Sequence, residues 1–261
     1  MNMVSFDTLR TIGFPATTQM KPAQMYDKAA ELQSADWVLF PEYWQLNALQ
    51  YAWKARVFPS EATYRIGHNK IEMTRAFMAV APHNTPDTYI LANTTANAEE
   101  LWHSLPQPFV AKLPKSSQGE GVWLIQTHSD WQQYLGKTDV LYVQEYLPID
   151  RDLRIVLVGD EILAAYWRVQ SPYSFHNNLA RGGEADFSPA PQAALNLVLQ
   201  VSKALGINHA GFDVAMVGER PYLFELNRLF GNKGITGGDA RINAAILAYL
   251  ATVNGNPGAT P

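Results

Sequence analysis

Two stretches in the second half of the chain, LRIVLVGDEILAAYWRV and GFDVAMVGERPYLFELN, constrain the fold most. Each sets two apolar runs, rich in β-branched and aromatic residues, on either side of a short turn, at Gly159-Asp160 and at GERP. That spacing predicts antiparallel hairpins. Helical patterns are interspersed but do not alternate strictly with strands, so the sum is mixed α+β and not a doubly wound parallel sheet.

Shorter strand patterns precede them. ADWVLF and RVFPS lie in the first part; PFVAKL, VWLIQ and VLYVQEYL follow in the middle. Helices are expected over Glu42–Trp53 and from His68 to Ala81, the latter on the spacing of Ile71, Met73, Phe77, Met78 and Val80 with Pro82 as its stop. Lys70 then falls in the first turn. Ser129 and Gln132 have the spacing of a capping box. Pro191–Leu205 is bracketed by an N-terminal proline and Gly206, with Leu195, Val198, Leu199 and Leu205 as its apolar side, and Asp239–Leu250 closes the fold.

Composition narrows the class. A formal net charge of -4 provides no basic face for a nucleic-acid backbone, so no nucleic-acid partner is expected and any phosphate site must be local. The absence of cysteine removes disulfides, thiolate nucleophiles and cysteine zinc sites. No run has the pattern of a signal peptide or the length of a membrane span, so no membrane partner and a cytoplasmic location are expected.

Three groups of residues can carry chemistry. Glu225 and Asn227 are two apart in a strand and share a face, and Asp213 lies on the strand that pairs across GERP. Three hard oxygen donors so placed suit magnesium, although the same spacing also fits exposed or ion-paired strand carboxylates. KLPKSSQGEGV sets Lys112 at a strand end before a loop whose amides could approach phosphates; an ordinary hairpin loop reads the same way. Arg151, Arg154, Arg168 and Arg181 concentrate around the first hairpin, where Arg154 and Arg168 would face one another and could clamp an anion or form surface ion pairs. His103, His128 and His209 have no metal-ligand spacing and receive no role. The aromatic stretch around Trp44, Tyr51 and Trp53 fits a core or a contact between copies, which leaves self-association open.

Taken in order from about His68 to Ile235, these segments resemble the RimK-type glutamate ligases of the ATP-grasp superfamily. KLPKSSQGEGV resembles that family's phosphate-covering loop, VQEYL its adenine-binding linker, and DLR, WR, FHNNLARGG, GFD and ELN its successive cleft strands. The resemblance implies an ATP-grasp fold, with two β-rich lobes enclosing ATP behind a short α/β N-terminal lobe. The boundaries expected are 1–66 for that lobe, 67–147 for the small lobe and 148–261 for the large lobe.

By the same resemblance Lys70, Lys112, Gln118 and Gly119 meet the phosphates. Glu145, Tyr146 and Leu147 hold adenine, Asp152 faces the ribose side, and His176, Asn177 and Asn178 flank the triphosphate. Asp213, Glu225 and Asn227 become ligands of magnesium, with manganese as an alternative, while Arg168 with Arg154 acts on the transferring phosphoryl group. The implied activity is ATP-dependent amide formation between a carboxylate and an amine, small molecule or peptide, through an acyl phosphate. The alternatives are a non-catalytic ATP-binding regulator or scaffold, and a small-molecule kinase. The chain departs from the pattern at Asn69, where an acid is usual, at Ser116, at His176, in RLFGNKG after Asn227, and in its shorter first lobe.

Overall fold

The computed structural model describes residues 1–114, 121–169, 184–232 and 234–255. Three sheets carry the chain, and α+β is the observed class. The first sheet is parallel, in the order β2-β1-β3-β4, from β1 (Met3–Ser5), β2 (Thr17–Gln19), β3 (Trp37–Leu39) and β4 (Val57–Phe58). Helices α1 (Ala29–Ser34) and α2 (Glu61–Ile66) accompany it.

Glu42–Trp53 is not a regular α-helix. It forms a 3-10 turn at Tyr43–Gln45 and a π-helix at Ala48–Ala52, where the Trp53 amide donates to the Ala48 carbonyl at 2.9 Å. Leu46 and Leu49 are both fully buried with Met25 and Leu32, while Trp44 and Tyr51 stay exposed. Packing of these two leucines overrides the ideal helical turn that the local pattern favours.

Helix α3 (Lys70–Val80) begins where Asn69 Oδ1 accepts from the Ile71 amide at 2.8 Å, and ends before Pro82 as its sequence predicts. The second sheet follows in the antiparallel order β5-β8-β6-β7, from β5 (Thr88–Ala92), β6 (Phe109–Lys112), β7 (Val122–Ile125) and β8 (Val140–Glu145). Helices α4 (Thr95–Ser104) and α5 (His128–Leu135) cover one face, burying Leu101, Phe109, Ala111, Trp131, Tyr134 and Val143 together. The α5 cap is not Ser129. Thr127 accepts from the Asp130 amide, and the Asp130 carboxylate accepts from the amides of Gln126 and Thr127. An ionised acid at the positive end of a helix outcompetes the overlapping Ser129-Gln132 pair.

The third sheet is antiparallel, in the order β11-β10-β9-β12-β13. Its strands are β9 (Arg151–Val158), β10 (Glu161–Val169), β11 (Glu184–Asp186), β12 (His209–Val217) and β13 (Arg220–Asn227). Both expected hairpins are present. Gly159 turns the first at φ +64, where an added Cβ would lie 2.5 Å from the Tyr249 ring.

Alternation divides this sheet cleanly. Leu153, Ile155, Leu157, Phe212 and Val214 pack against α3 and against α6 (Gln192–Leu205). Gly206 caps α6 in the left-handed conformation, as predicted. Leu199 is exposed, however; Val198 faces the sheet as expected, together with Ala194, Leu197 and Val201. On the opposite face, Val156 and Val158 join Trp37, Leu39 and Phe58 of the first sheet and Ile242, Ile246 and Leu250 of the closing helix α7 (Gly238–Gly255). Among the described residues no helix is long and apolar enough to cross a membrane.

Candidate functional site

The face of β9 that is apolar at Val156 and Val158 carries Asp152 and Arg154, four and two residues before Val156. Period-two alternation therefore turns a core face into a charged one at the end of the sheet. Register completes the group: Asp152 pairs with Arg168, Arg154 with Asp213, Asp213 with Glu225, and Gly211 with Asn227.

The charges engage each other. Arg168 Nε and Nη2 donate to the two Asp152 oxygens at 2.7 and 2.6 Å, and Nη2 also lies 3.1 Å from Asp213 Oδ2. Arg154 Nε lies 2.6 Å from Asp213 Oδ1 as an ion pair whose N–H points off the contact, while its Nη2 donates to Asp213 Oδ2 at 3.3 Å. Asn227 Nδ2 lies 3.4 Å from the same oxygen. Burial alone would raise the Asp213 pKa, but Arg154 and Arg168 outweigh it and hold the carboxyl below its ordinary range. Burial likewise works against the Arg168 charge, and Asp213 and Asp152 more than restore it.

The lysines arrive from elsewhere. Lys70, in the first turn of α3, places Nζ 3.0 Å from Glu225 Oε2. Lys112 ends β6 on the face opposite the buried Phe109 and Ala111; it donates to Gln144 Oε1 and sits 5.7 Å from the centroids of the Tyr142 and Phe224 rings. Phe224 immediately precedes Glu225, so the second sheet meets the third here. Tyr142 and Thr74 hydroxyls, 2.7 Å apart, tie the same sheet to α3. Burial, aided by Lys70, lowers the Lys112 pKa to about 8, against the pull of Glu225 and Asp213. Beside this meeting point opens a cavity of about 570 Å³ lined by His68, Lys70, Pro114, Glu225, Asn227 and Arg228, among others.

Most of the sequence-predicted residues that are described thus converge: Lys70, Lys112, Asp152, Arg154, Arg168, Asp213, Glu225 and Asn227 form one cluster. Glu145, Tyr146 and Leu147 lie at the end of β8, where Glu145 Oε1 accepts from the Asp87 amide at 3.0 Å. Gln118, Gly119, His176, Asn177, Asn178 and Arg181 lie outside the described residues. Asp152, expected toward a ribose, spends both oxygens on Arg168 in this arrangement. Gln144 went unnoticed in the sequence; as the polar residue that interrupts the apolar run VLYV, it signals a partner inside the fold. Among the described residues no trio of His, Cys, Asp and Glu is placed to hold a metal, so the candidate ligand set is two carboxylates and an amide.

Comparison with known proteins bears on the family and the fold. The family model described as the RimK-like ATP-grasp domain matches residues 68–250. A protein named probable alpha-L-glutamate ligase 1, from Shewanella amazonensis, is 31% identical over 150 residues, covering 55% of this chain and 50% of its own length. One named probable alpha-L-glutamate ligase, from Pseudomonas aeruginosa, is 30% identical over 156 residues, 58% and 52%. The chain spans about half the length of these curated relatives. Among solved structures, a RimK domain ATP-grasp protein from Sphaerobacter thermophilus superposes with a TM-score of 0.72 at 15% identity, covering 95% of this chain and 99% of the other. D-alanine--D-alanine ligase from Bacillus anthracis superposes with a TM-score of 0.70 at 12% identity, covering 99% and 100%. At such identities these two likenesses establish the ATP-grasp fold alone.

Proposed function

We propose, on the premise that the chain belongs to the RimK-like ATP-grasp family, that it uses ATP and magnesium to join a carboxylate to an amine, releasing ADP and phosphate. One observation carries the reading. Two carboxylates and an amide at the end of the third sheet face two lysines delivered by separate elements, α3 and β6.

The donor set fits a hard divalent cation: Asp213 and Glu225 are cross-strand partners, and Asn227 follows on the same face. Each carboxylate already attracts positive charge, Glu225 from Lys70 and Asp213 from the two arginines. Magnesium, with manganese able to replace it, would be held by these three side chains and would screen a triphosphate.

The chain's own residues do the rest. Lys70 and Lys112 present ammonium groups to the phosphates, which lowers the barrier to attack by a substrate carboxylate on the terminal phosphorus. An amine then attacks the acyl carbon of the acyl phosphate so formed, the C–O bond to phosphate breaks, and inorganic phosphate leaves as the amide forms. Arg168, oriented by its two bonds to Asp152, and Arg154 stabilise the negative charge of that transfer. The resemblance assigns adenine to the Glu145–Leu147 segment and the phosphates also to Gln118, Gly119 and His176–Asn178.

The test is ADP release with matched sets of carboxylates and amines. A ligase requires both; a kinase releases ADP with one acceptor alone, and a scaffold binds ATP and stops. In the double variant Glu225→Gln, Asn227→Ala, turnover should fall by about 100-fold or more while the melting temperature is retained. Full turnover in that variant would refute the ligand assignment.

A further inference from the structure

A second cavity, of about 300 Å³, lies where the loop after β1, segment 230–232 and the start of α7 meet. Phe40, Phe230 and Ile242 form its apolar wall. His209, which also lines it, is fully buried, stacked on Phe230 at 4.7 Å between ring centroids and edge-on to Phe40.

Its Nδ1 lies 3.0 Å from the Arg228 carbonyl oxygen. A carbonyl only accepts, so Nδ1 carries the proton and Nε2 presents a lone pair. Among the described residues nothing donates to that Nε2. Burial, with help from Arg10, lowers the His209 pKa to about 3, so the ring stays neutral and the lone pair stays available. Asn232 repeats the pattern. Its amide nitrogen donates to Asp239 Oδ1, which fixes the side-chain orientation and leaves a buried Oδ1 to which no described residue donates.

Two buried acceptors without donors beside one cavity are costly unless something fills it with N–H or O–H groups. The charged lining reinforces the demand. Among the described residues of the lining, Asp7 and Asp239 contribute two carboxylates and Arg10, 3.4 Å from Asp7, is the one cation. The described lining is therefore rich in acceptors and negative on balance, which favours a cation and disfavours a second anion.

Its position relates it to the cluster described above. Segment 230–232 follows Asn227 within a few residues. A Cβ added at Gly211 would lie 2.9 Å from both Arg154 Nη1 and Phe230 Cβ, so about one atom's width separates the guanidinium from the cavity's aromatic wall.

We propose that this cavity binds a primary ammonium carried on an apolar body, the head on His209 Nε2, Asn232 Oδ1 and Asp239, and that it rejects compounds with an acidic side chain. Its service as the subsite of the amine partner rests on the ligase reading.

The experiment follows the His209 Nε2 resonance in the full chain labelled with ¹⁵N-histidine. The probes are leucinamide, glutamate, and 3-methylbutanol as the apolar body without the ammonium. Leucinamide should shift the signal saturably, with glutamate and the alcohol at least about tenfold weaker. Asn232→Leu should weaken leucinamide about tenfold and leave ATP affinity unchanged. A His209 signal that ignores leucinamide, or that responds to glutamate at lower concentration, overturns the proposal. The two readings separate. Leucinamide binding without ADP release from any substrate pair sinks the ligase reading and keeps the cavity assignment. Amine-dependent ADP release by amines that leave His209 unmoved does the reverse.

Discussion

The second and third sheets both bring cations to the cleft, but they treat them differently. In the third sheet Arg154 and Arg168 are matched to Asp152 and Asp213 on neighbouring strands, at register positions that hold guanidinium and carboxylate together. In the second sheet the partner of Lys112 is a neutral amide, Gln144, and burial pulls the ammonium pKa down to about 8. The third sheet thus holds its guanidinium groups against carboxylates of its own strands, which makes these pairs a framework for the sheet end. The second holds a charge at a cost that an incoming polyanion would relieve.

The largest effect should come from breaking the framework. Arg168→Met leaves Asp152 buried without its bidentate partner and is expected to cost about 3–5 kcal/mol in urea unfolding. A loss below about 1 kcal/mol would show that the framework does not hold the sheet end, and the contrast would collapse. Lys112→Met should act the other way. Nucleotide affinity falls about tenfold or more, while stability at pH 7 is maintained or increased.

The pH dependence sharpens this second expectation. A lysine whose folded pKa is about 8 binds fewer protons folded than unfolded between pH 8 and the ordinary lysine range, so stability rises with pH across that window. The rise should be missing from Lys112→Met in denaturation curves recorded from pH 7 to 10. The smallest effect belongs to the scaffold behind the second sheet. Thr127→Ala should cost about 1 kcal/mol by loss of the α5 cap, and Ser129→Ala clearly less. Equal costs would reassign the cap to Ser129.

The site was legible where its geometry is local. Glu225 and Asn227 share a face because they are two apart in a strand, and the GERP turn brings Asp213 opposite Glu225. Arg154 and Arg168 meet for the same reason, across a hairpin whose turn the sequence announces. Regular helices with clear stops, α3 and α6, were equally readable. The structure departs from the local pattern where packing chooses among options, in the irregular turns of Glu42–Trp53 and at the outward-facing Leu199, and at Thr127, where the ionised Asp130 decides between overlapping caps.

What periodicity alone determined, then, was which side chains line up along each strand and helix. Tertiary structure decided which of those rows face one another. Lys70 and Glu225 are 155 residues apart, Lys112 and Gln144 32 apart, and no local pattern relates them. His209, unremarkable in the chain, gains an acceptor to which no described residue donates because Arg228, Phe40 and Phe230 converge on it from other segments. Alternation follows from backbone stereochemistry and is inherited by any segment with the pattern. The pairing of distant side chains depends on how whole layers dock, which is set by the burial of Met73, Phe77, Val156 and Ile246 far from the site itself.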